Sequence, residues 1–432
     1  MIRADARLRV VLVNYNGGDL LLRSVRSVLS SQWPGEIDVV VVDNASTDES
    51  IAAVVDLPGV HVIKRPTNEG FGANNHGFAD LVGDEIEADV GPADVVALLN
   101  PDAMVRPSTF RLLAAALDED KMIGAASPLI TFDRPFIDVR VDRGEIAIES
   151  VTCGSVDVAA QCHGVDGAQR LPGESGPLWL CRSGSTLRIP IAAIGDPVVL
   201  GVARGSASVD GTQIEGPAQV PIYAIERPTH RIVQNAGTFV DRAGVGHSRG
   251  FAKPMTDDLG PQAPLWCGAA VVFHPDYLRA IGGFDPEYFL YYEDVDLALR
   301  GLAHGWSTKH VPEAIVEHRH SDRSVQGTKL VEVLQHKNRL LTLVRHASPV
   351  DIAAGYARAA LTPVSLALSA IRAPDERTER LRLAKWRAVS LGQAIGGVRH
   401  ARAARNEIAA TRTVDIAQVQ QLTKADVRQK KR

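Results

Sequence analysis

The sequence predicts an α/β protein with a mixed, mainly parallel sheet, interrupted by an all-β insertion and followed by a helical C-terminal region. Three observations lead there. In the first part of the chain strand-like apolar runs alternate with apolar positions at helical spacing. From about Phe132 to Arg231 the texture changes to short β-prone runs broken by Gly, Pro, Asp and Ser, and beyond about residue 345 the chain is Ala- and Arg-rich. A length of 432 residues exceeds one ordinary core, since domains average about 150 residues. The expected boundaries are 1–131 and 232–345 for a split α/β domain, 132–231 for a sandwich-like β insertion, and 346–432 for a basic helical region.

The elements follow in order. Leu8 to Val13 reads as a strand, and Leu21, Leu22, Val25, Val28 and Leu29 recur at helical spacing. Asp38 to Val42 is a second strand, after which Ser46 and Glu49 form a capping-box pattern that opens a helix. Val60 to Ile63, a helix over about Phe71 to Val82, the buried-strand run Val95 to Leu99, a helix from near Ser108 and a strand from Ile123 to Ile130 complete the first half. After the insertion "IVQNAGTFVD" and "PLWCGAAVVF" restore the α/β texture. In "YYEDVDLALRGLAHG", Val295, Leu299 and Leu302 share a helical face and Gly305 is placed to end it.

A formal net charge of −4 argues against a nucleic-acid surface, because phosphate binding needs a cationic excess. The cations gather instead in the tail, from Arg380 through Arg387 and Arg405 to Arg432, which suits either a solvated helical face or attachment to anionic lipid. Cys153, Cys162, Cys181 and Cys267 show neither metal-ligand spacing nor the density of a disulfide scaffold. A reducing, cytoplasmic setting is expected, with no export signal. The most apolar later segment, Ile352 to Ile371, is interrupted by Arg358 and Pro363 and is not expected to span a membrane.

Open α/β sheets bind ligands at the carboxyl ends of their parallel strands. Four polar clusters sit there: "VNYN" (Val13, Tyr15, Asn16), "DNASTD" (Asp43), "NEGFGANN" (Asn68, Gly70, Gly72, Asn74) and "NPDA" (Asn100, Asp102). Alone, each would be a turn or a helix cap. Together they offer what a nucleoside diphosphate needs: an acceptor for a base N–H in Asp43, an aromatic in Tyr15, close backbone approach at Gly70 and Gly72, and a metal-binding carboxylate in Asp102. Neither a dinucleotide fingerprint nor a P-loop occurs.

In order, "VNYN", "VVVVDNASTD", "NEGFGANNHGF", "LLNPDA", "WCGAAVVF" and "GGFDPEYFLYYEDVDLALRG" resemble the inverting family 2 glycosyltransferases of the GT-A fold, most of all a bacterial rhamnosyltransferase-like branch. The resemblance covers about residues 8–130 and 232–345. It implies a nucleotide-diphosphate sugar donor, a glycan or lipid-linked acceptor in cell-envelope polysaccharide synthesis, and Mg²⁺ or Mn²⁺. "NPD" stands where the family carries DxD, with Asn100 replacing the first aspartate and Asp102 matching the metal-binding one. The family's ED motif falls on Glu293 and Asp294, Asp294 as general base and Glu293 orienting the acceptor or supporting its neighbour. His318 matches the further metal ligand better than His320, and Trp266, Cys267 and Gly268 would line the acceptor side. Asp296, four residues before Arg300, is expected in a surface ion pair.

Two other classes compete: a non-catalytic glycan-binding or scaffold protein that has kept the fold, and a sugar-phosphate nucleotidyltransferase. The Gly-rich triphosphate loop of the latter is missing. Asp102, Glu293 and Asp294 together speak for the enzyme.

Overall fold

The computed structural model describes residues 3, 5–172, 177–192, 196–222, 227–260, 262–319, 328–372 and 377–423. The main sheet has nine strands. Along its principal path the order is Val60–Lys64, Ile37–Asp43, Leu8–Asn14, Val95–Leu99, Ala270–Phe273, Ile123–Phe132, Ser307–His318 and Ala103–Val105, with Val233–Asn235 pairing beside Ile123–Phe132. The first four strands are parallel, and Ala270–Phe273 runs antiparallel to both its neighbours. Helices cover both faces, so a central strand such as "IDVVVVD" buries four consecutive valines, Val39 to Val42, rather than alternating. Gly77 lies so close to Val11 that any Cβ would strike its side chain, which seats the segment after Val60–Lys64 directly on the sheet.

Two expected helices do not form. After Ser46 the chain makes turns, because the Ser46 hydroxyl accepts from Asn14 Nδ2 and from the Asn16 amide instead of capping a helix. The run Phe71 to Val82 is a 3₁₀ helix over Gly70–Phe78 followed by a single α turn, Ala79–Val82. Its glycines weaken an α-helix, and Asn74 Nδ2 donates to the Phe71 carbonyl, a side-chain bond that competes with the helical ladder.

Strands between Phe136 and Ile222 form a second, antiparallel sheet with its own apolar core, which includes Ile137, Ile148, Trp179, Leu187, Leu200 and Ile214. The 18-residue strand Phe136–Cys153 organises it, pairing with Thr186–Pro190 in its first half and with Pro177–Arg182 and Val198–Val209 further on.

The helix Glu293–Ala303 buries Val295, Leu299 and Leu302. It ends where Gly305 takes φ +86° and the Trp306 amide reaches back to the Gly301 carbonyl at 3.0 Å. Helices Lys329–His346, Pro349–Arg372, Arg377–Thr411 and Ile416–Thr423 complete the C-terminal region. Among the described residues no helix is long and apolar enough to cross a membrane.

Candidate active site

The site lies along the carboxyl ends of the parallel strands. Sheet register sets Asn14 beside Asp43. Asn14 is fully buried and donates to the hydroxyls of Ser46 (2.9 Å) and Ser50 (2.8 Å), while Asn16 Oδ1 accepts from the Thr47 amide at 2.7 Å. The two loops are thereby stitched together and Tyr15 is left 54% exposed between them. Val13 packs into the core beneath. Asp43 Oδ1 accepts from the Ser46 amide at 3.1 Å.

The structure corrects the reading of Gly70 and Gly72. Both are buried, and at Gly70 (φ +66°) a Cβ would collide with the Phe289 carbonyl, which accepts from the Phe71 amide at 2.7 Å. Gly72 lies against Pro286. These glycines let the "NEGFG" loop press against the segment before the ED helix rather than cradle phosphate. Asn68 Oδ1 accepts from the Gly70 amide and from Asn44 Nδ2, both at 2.9 Å. Asn74 is an internal brace, as its bond to Phe71 shows.

At the "NPD" motif the short strand Ala103–Val105 pairs antiparallel with the end of Ser307–His318, placing His318 opposite Ala103. His318 Nε2 therefore lies 3.0 Å from Asp102 Oδ1 and 3.3 Å from Asn100 Nδ2. On the other side of the ring Nδ1 is 2.7 Å from Gln234 Oε1, and the histidine is buried. Gln234 comes from the first strand after the insertion. Among the described residues no group of three or more His, Cys, Asp or Glu is placed to hold a metal ion. His320 lies outside the described residues.

The second carboxylate pair opens the helix Glu293–Ala303. Phe289, Tyr291 and Tyr292 just before it have φ values of 60°, 69° and 72°, a left-handed run costly for bulky residues and maintained only where neighbours enforce it. Asn338 does so here: fully buried, its Nδ2 lies 2.8 Å from each of the carbonyls of Tyr288, Leu290 and Tyr291. Asp294 Oδ2 accepts from the Gly268 amide at 2.9 Å and Oδ1 from its neighbour Val295 at 2.8 Å. Burial pushes its carboxyl above the ordinary range against the pull of these amides. Glu293 is buried, and desolvation together with the Asp294 charge pushes it well above that range; its Oε2 meets no partner among the described residues.

Two expectations fail at this end. Trp266 does not line the acceptor side: it is fully buried, edge-on to Phe273 and Phe284, with its indole N–H donating to Tyr277 Oη at 3.4 Å. Beside it Cys267 is half-buried, and desolvation, reinforced by Asp294, pushes its thiol up to about 12, which makes it no nucleophile. Asp296 is not on the surface. It is fully buried, with Oδ2 at 3.0 Å from Arg300 Nε and 3.1 Å from Arg345 Nη1, and Oδ1 at 2.8 Å from His346 Nε2 and 3.3 Å from Tyr288 Oη. Burial opposes its charge, but Arg345 and Arg300 prevail and hold the carboxyl far below the ordinary range.

Four residues around the site carry no signal of their role in the sequence: Asn44, Gln234, Asn338 and Arg345. Each acts on a distant segment, and only Asn44, inside "DNASTD", belonged to a motif.

Comparison with known proteins agrees with this architecture. Residues 9–146 match the model of glycosyl transferase family 2, and residues 217–339 that of glycosyl transferase family group 2. The unmatched stretch between them falls within the insertion. The chain is similar to an N-acetylglucosaminyl-diphospho-decaprenol L-rhamnosyltransferase of Mycobacterium tuberculosis, at 26% identity over 348 residues, 79% of this chain and 85% of that one. It is also similar to an uncharacterized glycosyltransferase of Nostoc sp., at 30% identity over 132 residues, 29% of this chain and 38% of that protein. Among solved structures, the mannosyltransferase of Pyrobaculum calidifontis in complex with GDP-Man and Mn²⁺ aligns at a TM-score of 0.41 and 14% identity, over 91% of this chain and 87% of that one. The protein belongs to the family 2 glycosyltransferases, and its α/β sheet is followed by an additional helical C-terminal region.

Proposed function

We propose that this glycosyltransferase inverts the anomeric centre as it moves a sugar from a UDP- or dTDP-sugar to a glycan or lipid-linked acceptor in cell-envelope polysaccharide synthesis. The observation that carries the reading is one short turn. Gly268 donates its amide to Asp294, and the next residue, Ala269, accepts from the Asn100 amide at 2.9 Å. Adjacent residues thus tether the candidate base and the "NPD" motif, as a reaction between an acceptor hydroxyl and a bound diphosphate sugar requires.

Asp294 takes the proton of the acceptor hydroxyl as that oxygen attacks the sugar carbon and the diphosphate departs on the opposite face. Its raised pKa makes it a stronger base than an exposed carboxylate at neutral pH. The backbone amides on its two oxygens fix its aim. Burial and the Asp294 charge both favour the neutral form of Glu293, which limits a second charge beside the base. Tyr15 offers its exposed ring to the nucleobase, and Asp43 an acceptor for the N3–H that uracil and thymine share. Asp102 and His318 suit Mg²⁺ or Mn²⁺: one carboxylate oxygen and one ring nitrogen meet, and Gln234 orients the ring as outer-shell partners of metal-bound histidines do. Diphosphate and water would supply the remaining ligands. Such an ion, when bound, offsets charge growing on the leaving diphosphate.

The name of the mycobacterial relative supports rhamnose as the sugar and a lipid-linked diphosphate as the acceptor. A nucleotide donor supports action in the cytoplasm. The test is thermal stabilisation by UDP, dTDP and GDP, each with and without Mn²⁺, for the wild type and Asp102→Asn. Ligand at 100 times its Kd adds about 2.7 kcal/mol. A metal-dependent shift with a pyrimidine diphosphate that the variant lacks is expected; no shift with any nucleotide would overturn the reading.

A further inference from the structure

The helix Pro349–Arg372 is built unlike the others. Its 24 residues span about 36 Å, yet only Gly355 and Ala370 are buried. Val350, Leu361, Val364, Leu368 and Ile371 are 76%, 68%, 56%, 55% and 73% exposed. At 100° per residue they fall on one side of the helix. Exposed alanines at 354, 357 and 360 fill the same side. After Asp351 the helix has no acidic residue; its charges are Arg358 and Arg372, both exposed. The opposite side packs on the neighbouring helices, where Ile352 and Tyr356 join the clusters of Leu340, Leu341 and Val344.

The apolar stripe ends beside a cationic corner. The next helix begins with Arg377, Arg380, Arg382 and Lys385, of which Arg377, Arg382 and Lys385 are exposed. Glu379 is paired with Arg382. Leu381, 44% exposed, adds an apolar side chain among these cations. Arg387 is paired with Glu332 of an earlier helix; by sequence Asp375 and Glu376 lie between the helices, and with Glu379 they still leave the stretch from Arg372 to Lys385 in net positive charge.

We infer that the solvent face of Pro349–Arg372, with the basic corner at Arg377–Lys385, is a docking surface for an anionic lipid bilayer, on which the helix lies flat. An apolar stripe flanked by cations is the pattern of an interfacial helix, with side chains entering the headgroup boundary and Lys and Arg meeting lipid phosphate. Charge decides the occupant: the corner complements an anionic surface. The inference deepens the proposed use of a lipid-linked acceptor by giving the enzyme a means of meeting it. It is tested without nucleotide or acceptor, so its failure leaves the transfer reading untouched.

The experiment is co-sedimentation of the full chain with phosphatidylglycerol/phosphatidylcholine vesicles and with phosphatidylcholine alone. Three proteins are compared: wild type, Leu361→Ser/Leu368→Ser/Ile371→Ser, and Arg377→Gln/Arg382→Gln/Lys385→Gln. The altered side chains already face solvent, so both variants should keep the wild-type thermal midpoint. The wild type is expected to bind anionic vesicles with salt-sensitive affinity and neutral ones far less. The apolar variant should bind at least tenfold more weakly. The charge variant should lose about fivefold per cation. Three results would overturn the inference: no binding by the wild type, undiminished binding by the apolar variant, or a wild-type dimer, seen by sedimentation velocity, that the apolar variant dissolves, which would make the occupant a second copy of the chain.

Discussion

Asp294 and Asp296 stand two residues apart in the first turn of one helix and have opposite environments. Asp294 faces the "NPD" side, receives only backbone amides and is pushed above the ordinary carboxylate range by burial. Asp296 faces the C-terminal helices and is gripped by Arg300, Arg345, His346 and Tyr288. The first is left reactive by sparse neutral contacts, and the second is made inert by full charge compensation. Identical side chains become base and brace according to what surrounds them. The brace reaches further than its own helix, since Arg345 also binds Asp285, which accepts from His400 at 2.7 Å. The helices beyond residue 329 are thereby keyed into the wall behind the ED motif.

Replacing the brace should have the largest effect on stability. Asp296→Asn takes from Arg300 its carboxylate and from the buried Arg345 one of two, Asp285 remaining, at a cost of about 3–5 kcal/mol, read as a lowered denaturant midpoint. A midpoint within error of wild type would show that the network is not structural. Asn338→Ala comes next. It strips three carbonyls, that of Tyr288 buried and those of Leu290 and Tyr291 partly so, of their Asn338 donor, costing about 1–3 kcal/mol; because those carbonyls hold the backbone before Glu293, kcat should fall while nucleotide affinity holds. Equal losses in both would instead mean general loosening.

The pH dependence sharpens the contrast further. Asp296 has a depressed pKa, so its contribution is complete above the unfolded-state value, about 3.9, and is lost only as pH falls below it. Glu293 has a raised pKa, and its sign is reversed: its contribution is complete below about 4.3 and is lost as pH rises through the folded value. Glu293→Gln should therefore flatten the fall in stability as pH rises above about 4.3, the smallest of these effects. A steeper fall in the variant would contradict the raised pKa. In activity, the acid limb of kcat/KM should lie above the usual carboxylate range, because Asp294 must be ionised to act.

The sequence exposed what is local. Apolar runs ending in Asn, Asp and Gly marked the parallel strands and the loops at their carboxyl ends, since buried strands admit few polar residues. Val95 to Leu99 occupies the expected positions. What it concealed depends on distant partners. Asp296 and Arg300 have the spacing of a surface pair, and nothing local shows that Arg345 and His346 close over them. Trp266 beside small residues resembles a sugar platform until Phe273, Phe284 and Tyr277 surround it. Gly70 suits phosphate until Phe289 occupies the space that its missing side chain leaves.

The most direct test is Asp294→Asn, with donor affinity and transfer rate measured on the same preparation. Unchanged donor affinity with transfer reduced by about 10²–10⁴-fold is the predicted result. Near-normal transfer would contradict the assignment of Asp294 as the base.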